Sequence, residues 1–251
     1  MSRILIFVYQ WCIAIPLLVV ATILTALITI LGCLIGCGKW AGYYPPHIWA
    51  RLWCILMFVR VRVSGRENIN SNTSYIFVCN HQGAYDIFSI YGYLNHRFYW
   101  MMKKSLEKIP LVGLACKEVG HIMVDQSSAS AIKRTMQTAE SRLKGGNSLV
   151  VFPEGARTWD GKMRRFKRGA FLLASEFRLP IVPVTIDGAF SVMPRFTYNI
   201  KPGVINITIH KPIDAPSNSE EMDNAMKESF ASIQSSLPEK DRGMTQSLNQ
   251  K

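Results

Sequence analysis

A histidine and an aspartate stand five positions apart in the stretch Asn80-His-Gln-Gly-Ala-Tyr-Asp86. This stretch follows the apolar run Tyr75–Cys79, which predicts a buried strand. Such a strand delivers His81 to the carboxyl edge of an α/β sheet, where these folds bind their ligands. A carboxylate on one imidazole nitrogen fixes the tautomer and makes the other nitrogen more basic. The spacing therefore predicts that His81 is a general base oriented by Asp86.

The sequence offers no protein nucleophile to accompany this base. It has no Gly-x-Ser-x-Gly elbow, and Cys79 lies on the predicted strand, where its thiol would be buried. No CxxC motif or Cys/His spacing of zinc type is present, so no metal site is expected. The nucleophile is therefore expected to be a hydroxyl group of the substrate.

Two further segments carry groups that bind anions. Phe152-Pro-Glu-Gly-Ala-Arg157 follows a second apolar run; Gly155 permits a tight turn, and the fork of Arg157 can bind a phosphate group. The alternative is a surface turn with an exposed arginine. The third segment begins with Lys103 and Lys104, which either extend an anion site or belong to a solvated basic loop.

Alternating strands and helices must position these residues. Predicted strands cover Tyr75–Cys79, Leu149–Phe152, Ile181–Ile186 and Val204–Ile209, and predicted helices cover about 130–143, 169–177 and 218–237. Pro183 within the third strand predicts an edge or a bulge, and Asn218 with Glu221 predicts a capping box. The pattern indicates an α/β fold with a mixed, largely parallel sheet flanked by helices.

The amino-terminal region indicates the class of partner. The 35 residues from Ile4 to Gly38 contain no charge. A spanning helix needs about 20 apolar residues, so this stretch is long enough to cross a membrane once or to fold back as a helical hairpin. Pro16 and the glycines at 32, 36 and 38 offer break points. A cleaved signal peptide fits poorly, because its apolar core runs to only about 7–15 residues.

The chain has 251 residues, 49% of them hydrophobic, and a formal net charge of +12. This composition excludes a disordered polar chain and a disulfide-knotted mini-protein. Beside an anchor, the positive charge favours adhesion to anionic headgroups over nucleic acid, for which no binding motif is present. Arg60, Arg62 and Arg66 follow the apolar region, which favours a catalytic part on the cytoplasmic side, at the inner membrane if the cell is bacterial.

Three parts are expected along the chain. Residues 1–66 would form a membrane anchor and an amphipathic interfacial connector, and residues 67–237 the catalytic α/β domain. Residues 238–251 would form a polar, disordered tail.

Taken together and in this order, the segments between Val78 and Gly188 resemble the glycerolipid acyltransferases with the H-x4-D motif, in particular the 1-acyl-sn-glycerol-3-phosphate acyltransferases. The resemblance implies that His81 is the general base and Asp86 its orienter. It also implies a set of residues that hold the glycerol phosphate: Lys103, with Lys104 as its alternative, and Glu154, Gly155 and Arg157. One departure is that relatives commonly have Asp-Arg where this chain has Asp125-Gln126. Either Lys103 and Arg157 then suffice, or the acceptor headgroup differs.

The activity implied by this resemblance is the transfer of a fatty acyl group to the sn-2 hydroxyl of lysophosphatidic acid, which gives phosphatidic acid in phospholipid biosynthesis. The donor would be acyl-CoA or acyl-acyl carrier protein, with no bound cofactor, no metal and no covalent acyl-enzyme. Three alternatives remain. The first is an acyltransferase for another lysolipid, such as a lyso-ornithine lipid or a lysophospholipid with a larger headgroup. The others are a lipid-binding protein without turnover and a nucleic-acid binder, which rests on net charge alone.

Overall fold

The strands and helices follow the expected alternation. The computed structural model describes residues 3–125, 127–143 and 147–243. The strands are β1 (Val59–Ser64), β2 (Ile76–Cys79), β3 (Phe98–Lys103), β4 (Ile122–Val124), β5 (Ser148–Val151), β6 (Ile181–Asp187) and β7 (Gly203–Ile209). The α-helices are α1 (Arg3–Tyr9), α2 (Ile15–Leu34), α3 (Gly38–Ala41), α4 (Tyr44–Leu56), α5 (Tyr85–Tyr93), α6 (Val112–Val119), α7 (Ala129–Leu143), α8 (Gly169–Phe177), α9 (Ala189–Val192) and α10 (Ser219–Ser235).

One seven-stranded sheet has the order β1-β7-β6-β2-β5-β3-β4. Neighbouring strands pair in parallel except β6 and β7, which are antiparallel. The expected mixed, largely parallel sheet is therefore confirmed. Because β2, β3, β4, β5 and β6 run in one direction, their carboxyl ends meet at one edge, and the segments after β2 and β5 become neighbours there.

Two hydrophobic cores cover opposite faces of this sheet, because side chains alternate along each strand. On β2, Phe77 and Cys79 belong to one core and Ile76 and Val78 to the other. The anchor-side core holds residues of α2, α4, α5 and α9, among them Leu18, Cys54, Ile90 and Ala189. The far-side core holds residues of α7, α8 and α10, among them Ala139, Phe171 and Phe230.

The amino-terminal helix lies along the anchor-side core. Ile4–Leu34 is long and apolar enough to cross a membrane by length and composition, and most of its surface is exposed. Its buried residues form one stripe: Gln10, Ala14, Leu18, Ala26, Thr29 and Gly32. A turn of π-helix (Gln10–Ala14) precedes α2, and Pro16 lies in the first turn of α2 without breaking the helix. The chain turns instead at Gly36, whose φ is +84°.

Several elements differ from the sequence expectation. Residues 59–64 lie within the expected connector but form an edge strand, which their alternating Val/Arg pattern could have indicated. β3 and β4 were not predicted; β4 is only three residues long. Part of the expected tail is ordered, since the carbonyl of Asp241 accepts a hydrogen bond from the N–H of Met163 at 3.0 Å. Residues 244–251 lie outside the described residues.

Pro183 lies inside the sheet, between β7 and β2. Ile181 pairs with Ile213, and Val184 pairs with Ile209. The segment from Ile209 to Ile213 therefore has one more residue between these two pairs than the facing part of β6 has. The proline, which has no N–H to donate, thus coincides with a one-residue register shift of the kind a bulge produces.

Candidate active site

His81 and Asp86 form the centre of the site. β2 ends at Cys79 and α5 begins at Tyr85, so the connection between them places Asp86 in the first turn of the helix. Nδ1 of His81 lies 2.7 Å from Oδ2 of Asp86. Since an ionised carboxylate only accepts hydrogen bonds, Nδ1 carries the proton of the neutral imidazole, and Nε2 remains as the basic nitrogen.

The aspartate is held from a second direction. Its side chain is fully buried, and Oδ2 also accepts a hydrogen bond from the N–H of Gly83 at 2.8 Å. The side chain of His81 is 14% exposed. The pair is therefore closed at the carboxylate end and open to a ligand at the imidazole end.

Ring stacking and a side-chain clamp fix the position of the histidine. Phe152 packs flat on the His81 ring, with centroids 4.0 Å apart and an interplanar angle of 11°. Asn80 accepts from the N–H of Ile186 at 2.7 Å and donates to the carbonyl of the same residue at 2.8 Å. The side chain of Asn80, directly after β2, thus pairs with the backbone of β6 in the way that a further strand residue would. The backbone and the ring plane of His81 are thus both constrained.

Glu154 lies behind His81, in the interior. Its Oε1 atom accepts from the N–H of His81 at 2.7 Å, and its Oε2 atom accepts from the N–H of Arg164 at 2.8 Å. Burial raises the pKa of Glu154 to about 8, although the two N–H donors act in the opposite direction. The resemblance implied that Glu154 helps to hold phosphate. In the structure both carboxylate oxygens instead bind backbone N–H groups.

The loop after β5 carries the expected anion-binding residues. Gly155 has a φ of +78°, which strains any residue with a side chain, and its N–H donates to the carbonyl of Phe152 at 3.0 Å. The N–H of Thr158 donates to the carbonyl of His81, also at 3.0 Å. Arg157 therefore directly precedes Thr158, the residue whose N–H binds His81.

A segment distant in sequence covers this loop. Arg195 donates from Nη1 to the carbonyl of Arg157 at 3.0 Å, and its guanidinium lies 3.9 Å from the ring centroid of Trp159. Phe196 stacks on Trp159 with centroids 4.3 Å apart. A ring at that distance leaves no room for a guanidinium on the same face, so Arg195 and Phe196 cover opposite faces of Trp159. Arg195 thereby places a second cation beside the loop.

The other candidate cations lie at the end of β3. Lys103 is exposed, and its side chain makes no hydrogen bond or ion pair with the residues that the structure describes. Lys104 pairs with Asp125, with 2.8 Å between Nζ and Oδ2. Lys103 is therefore free to bind an anion, whereas the charge of Lys104 is matched. Gln126, the departure from the family pattern, lies outside the described residues.

Residues 60–187, just over half of the chain, match the family model described as Acyltransferase. The chain belongs to the Acyltransferase family. The matched span contains both members of the His81–Asp86 pair and the whole loop from Phe152 to Trp159.

This acyltransferase is 29% identical over 237 residues to a 1-acyl-sn-glycerol-3-phosphate acyltransferase of Chlamydomonas reinhardtii, an alignment that covers 94% of this chain and 69% of that protein. It is 34% identical over 176 residues to a chloroplastic protein of the same name from Arabidopsis thaliana, covering 66% of this chain and 48% of that protein. The crystal structure of the 1-acyl-sn-glycerophosphate acyltransferase PlsC from Thermotoga maritima matches with a TM-score of 0.76 at 26% identity, covering 92% of both chains. The chain thus spans only about half of the plastid relative.

The candidate site brings together most of the residues expected from the sequence. Direct hydrogen bonds connect His81 with Asp86 and Glu154, and Gly155 and Arg157 lie in the loop bound to the histidine carbonyl. Lys103 lies at the same edge of the sheet without such a link. Arg195 was missed, because no local pattern signals a contact across 38 residues.

Proposed function

We propose that this acyltransferase moves a fatty acyl group from an acyl thioester to the sn-2 hydroxyl of lysophosphatidic acid, which gives phosphatidic acid. The observation that carries the proposal is the bond between Thr158 and the His81 carbonyl, which holds a base and the cationic loop of Arg157 together. An acceptor with a hydroxyl and a phosphate fits such a pair, because each group meets its own partner. The names of the relatives support the same acceptor.

In the proposed reaction, Nε2 of His81 takes the proton of the sn-2 hydroxyl, and the oxygen attacks the thioester carbonyl carbon. The new C–O bond forms, the tetrahedral intermediate collapses and the C–S bond breaks. The proton on His81 then passes to the departing thiolate, which restores the base. Asp86 stabilises the imidazolium while it exists. Atoms and charge balance without a metal ion or a bound cofactor.

The protein thiol nearest the base in sequence does not suit covalent catalysis. Cys79 is fully buried, and burial raises the pKa of its thiol well above the usual value, with Asp86 acting in the same direction. Direct attack by the acceptor, without an acyl-enzyme, is therefore the route we propose.

Glu154 acts in this proposal as a positioning residue. One of its carboxyl oxygens accepts a hydrogen bond from the backbone N–H of His81, and the other accepts one from the backbone N–H of Arg164. Both bonds fix where the histidine stands relative to the loop of Arg157. The phosphate itself is assigned to Arg157 and Lys103, whose side chains are cationic.

The acceptor is proposed to reach the site from a membrane surface on the anchor side. The amino-terminal helix contacts the rest of the protein from Gln10, which donates to the carbonyl of Ile200 at 2.8 Å, to Gly32, which packs on Ala41. This stretch is roughly 33 Å long at 1.5 Å per residue. A helix covered on one face over that length cannot cross a bilayer upright while the α/β domain stays outside. The contacts therefore favour a helix lying in the plane of one leaflet.

The cytoplasmic side is proposed for the catalytic domain. Arg60 and Arg62 on β1 are exposed and follow the apolar region closely. Arg66 is used differently, since its guanidinium donates to the carbonyls of Tyr93 and Leu94 at the end of α5. A cytoplasmic site also meets acyl thioesters where they are made.

The test is acyl transfer from labelled acyl-CoA in detergent micelles, with lysophosphatidic acid and a monoacylglycerol as parallel acceptors. We expect transfer to lysophosphatidic acid and a loss of about 10²–10⁴-fold in His81→Ala. His210→Ala is the matched control, because His210 follows β7 at the opposite edge of the sheet. An unchanged rate in His81→Ala would refute the assignment of His81 as the general base. Equal transfer to both acceptors would refute the phosphate site.

A further inference from the structure

Four exposed cations follow the active-site loop. Lys162, Arg164, Arg165 and Lys167, here called the basic ridge, lie within six consecutive residues. Their side chains form no hydrogen bond or ion pair with the described part of the chain. The next cation, Arg168, differs because it pairs with Asp223. The ridge therefore concentrates four exposed positive charges beside the site, of which Lys162 lies near Asp160 and Arg164 near Glu154.

The basic ridge is joined to the catalytic residues through its backbone. The N–H of Arg164 binds the carboxylate of Glu154, whose other oxygen binds the N–H of His81. The N–H of Lys167 donates to the carbonyl of Pro153 at 2.9 Å. The ammonium of Lys167 lies against Gly155, so close that a methyl group there would meet it at 2.9 Å. The ridge thus begins at the rim of the site.

The sheet separates the basic ridge from the amino-terminal helix. Met163 and Phe166, which alternate with the ridge cations, are buried in the far-side core. Ala14 and Leu18 of the amino-terminal helix are buried in the anchor-side core, on the other face of the sheet. The basic ridge therefore lies on the side of the sheet that the amino-terminal helix does not cover, and a soluble substrate can reach it from that side.

We propose that the basic ridge binds the phosphate groups of a CoA-type acyl thioester and so orients the donor toward His81. The inference deepens the proposed function and rests on it, since only a thioester reaction brings such a donor to this site. CoA carries a diphosphate and a 3′-phosphate, a compact set of charges that four neighbouring cations can match. A standard protein–protein interface buries about 800 Å² on each partner, more than the six residues of the ridge supply on their own.

The test uses the full chain in detergent and the triple variant Lys162→Gln/Arg164→Gln/Arg165→Gln. These changes remove three charges and keep the backbone bonds of Arg164 to Glu154. We expect the KM for acyl-CoA to rise roughly 3- to 100-fold, because each of the three exposed charge contacts contributes a factor of about 1.4 to 5. The KM for acyl-pantetheine, which has no phosphate, and the KM for the lysolipid stay unchanged. The affinity for free CoA, measured by titration calorimetry, falls by the same factor.

The matched control is Arg62→Gln/Lys211→Gln/Lys227→Gln, which removes the same charge from exposed positions outside the basic ridge. An equal rise of the acyl-CoA KM in this control would overturn the inference, because net charge alone would then explain it. A rise in the lysolipid KM would assign the ridge to the acceptor, and a rise confined to acyl-acyl carrier protein would assign it to a protein donor. Either result overturns the proposal.

Direct binding separates this inference from the proposed function. Ridge-dependent CoA binding without transfer to lysophosphatidic acid would refute the acceptor and leave the donor site in place. Transfer to lysophosphatidic acid with CoA binding that is insensitive to the ridge would refute the donor site and leave the acceptor in place.

Discussion

Replacing Glu154 with glutamine tests how the histidine is positioned. The two carboxylate oxygens accept the N–H groups of His81 and Arg164 at 2.7 and 2.8 Å. At neutral pH the raised pKa of Glu154 keeps its side chain protonated, and the carbonyl and hydroxyl oxygens can both accept. Glutamine has one oxygen and one NH2 group, so it can accept from only one of the two N–H groups, and the other then faces a donor. A buried N–H without an acceptor costs about 1–3 kcal/mol. We expect the free energy of unfolding to fall by about that amount.

The effect on turnover depends on which N–H loses its partner. If it is that of His81, the ring moves relative to the loop of Arg157, and a displacement of about 1 Å lowers the rate by roughly 10²-fold. The assay is steady-state acyl transfer, with kcat and both KM values, alongside thermal unfolding. Glu228→Gln, an exposed change on α10, is the matched control.

Two results would refute this reasoning about Glu154. A rise in the acceptor KM with kcat intact would mean that Glu154 contacts the acceptor, as the family resemblance implied. Wild-type kcat and wild-type stability together would mean that neither hydrogen bond matters.

Three further perturbations have defined outcomes. Asp86→Asn keeps an oxygen for the N–H of Gly83 but removes the charge that stabilises the imidazolium, so kcat should fall by about 10²–10⁴-fold; a fall in stability alone would contradict the assigned role. Arg157→Ala should raise the KM for lysophosphatidic acid by about 10–100-fold, since a charge-assisted hydrogen bond contributes about 1.5–3 kcal/mol; an equal rise for monoacylglycerol would contradict phosphate contact. Because burial raises the pKa of Glu154 from 4.5 to about 8, wild-type stability should decline as pH rises through that window, by at most about 5 kcal/mol. Denaturant unfolding of wild type and Glu154→Gln across this range checks it, and parallel pH slopes would refute it.

The two sides of the sheet suggest separate approach routes for the two substrates of the proposed reaction. His81 stands at the carboxyl edge, with the amino-terminal helix on one face and the basic ridge beside the other core. In the proposed reaction, an acceptor embedded in a membrane and a donor dissolved in water would approach the same imidazole from different directions. Both substrates could then bind at once, as direct transfer requires.

Local patterns in the sequence determined a large part of this protein. Apolar runs predicted β2, β5, β6 and β7 to within a residue or two. The five-residue spacing of His81 and Asp86 predicted their contact, because the end of β2 and the first turn of α5 bring the two side chains together. Asn218 caps α10 by accepting from the N–H of Glu221 at 2.8 Å. Such features depend on neighbours in the chain, which a sequence displays directly.

Tertiary structure alone decided what surrounds the histidine. Glu154 binds His81 across 73 positions of sequence, and Arg195 binds Arg157 across 38. Gln10 reaches Ile200 across 190. These contacts follow from the order of strands in the sheet and from which helices cover each face, and neither is encoded in local spacing. The side chain of Glu154, which the sequence places beside a glycine turn, therefore accepts from two backbone N–H groups, because strands far away in the chain set its surroundings.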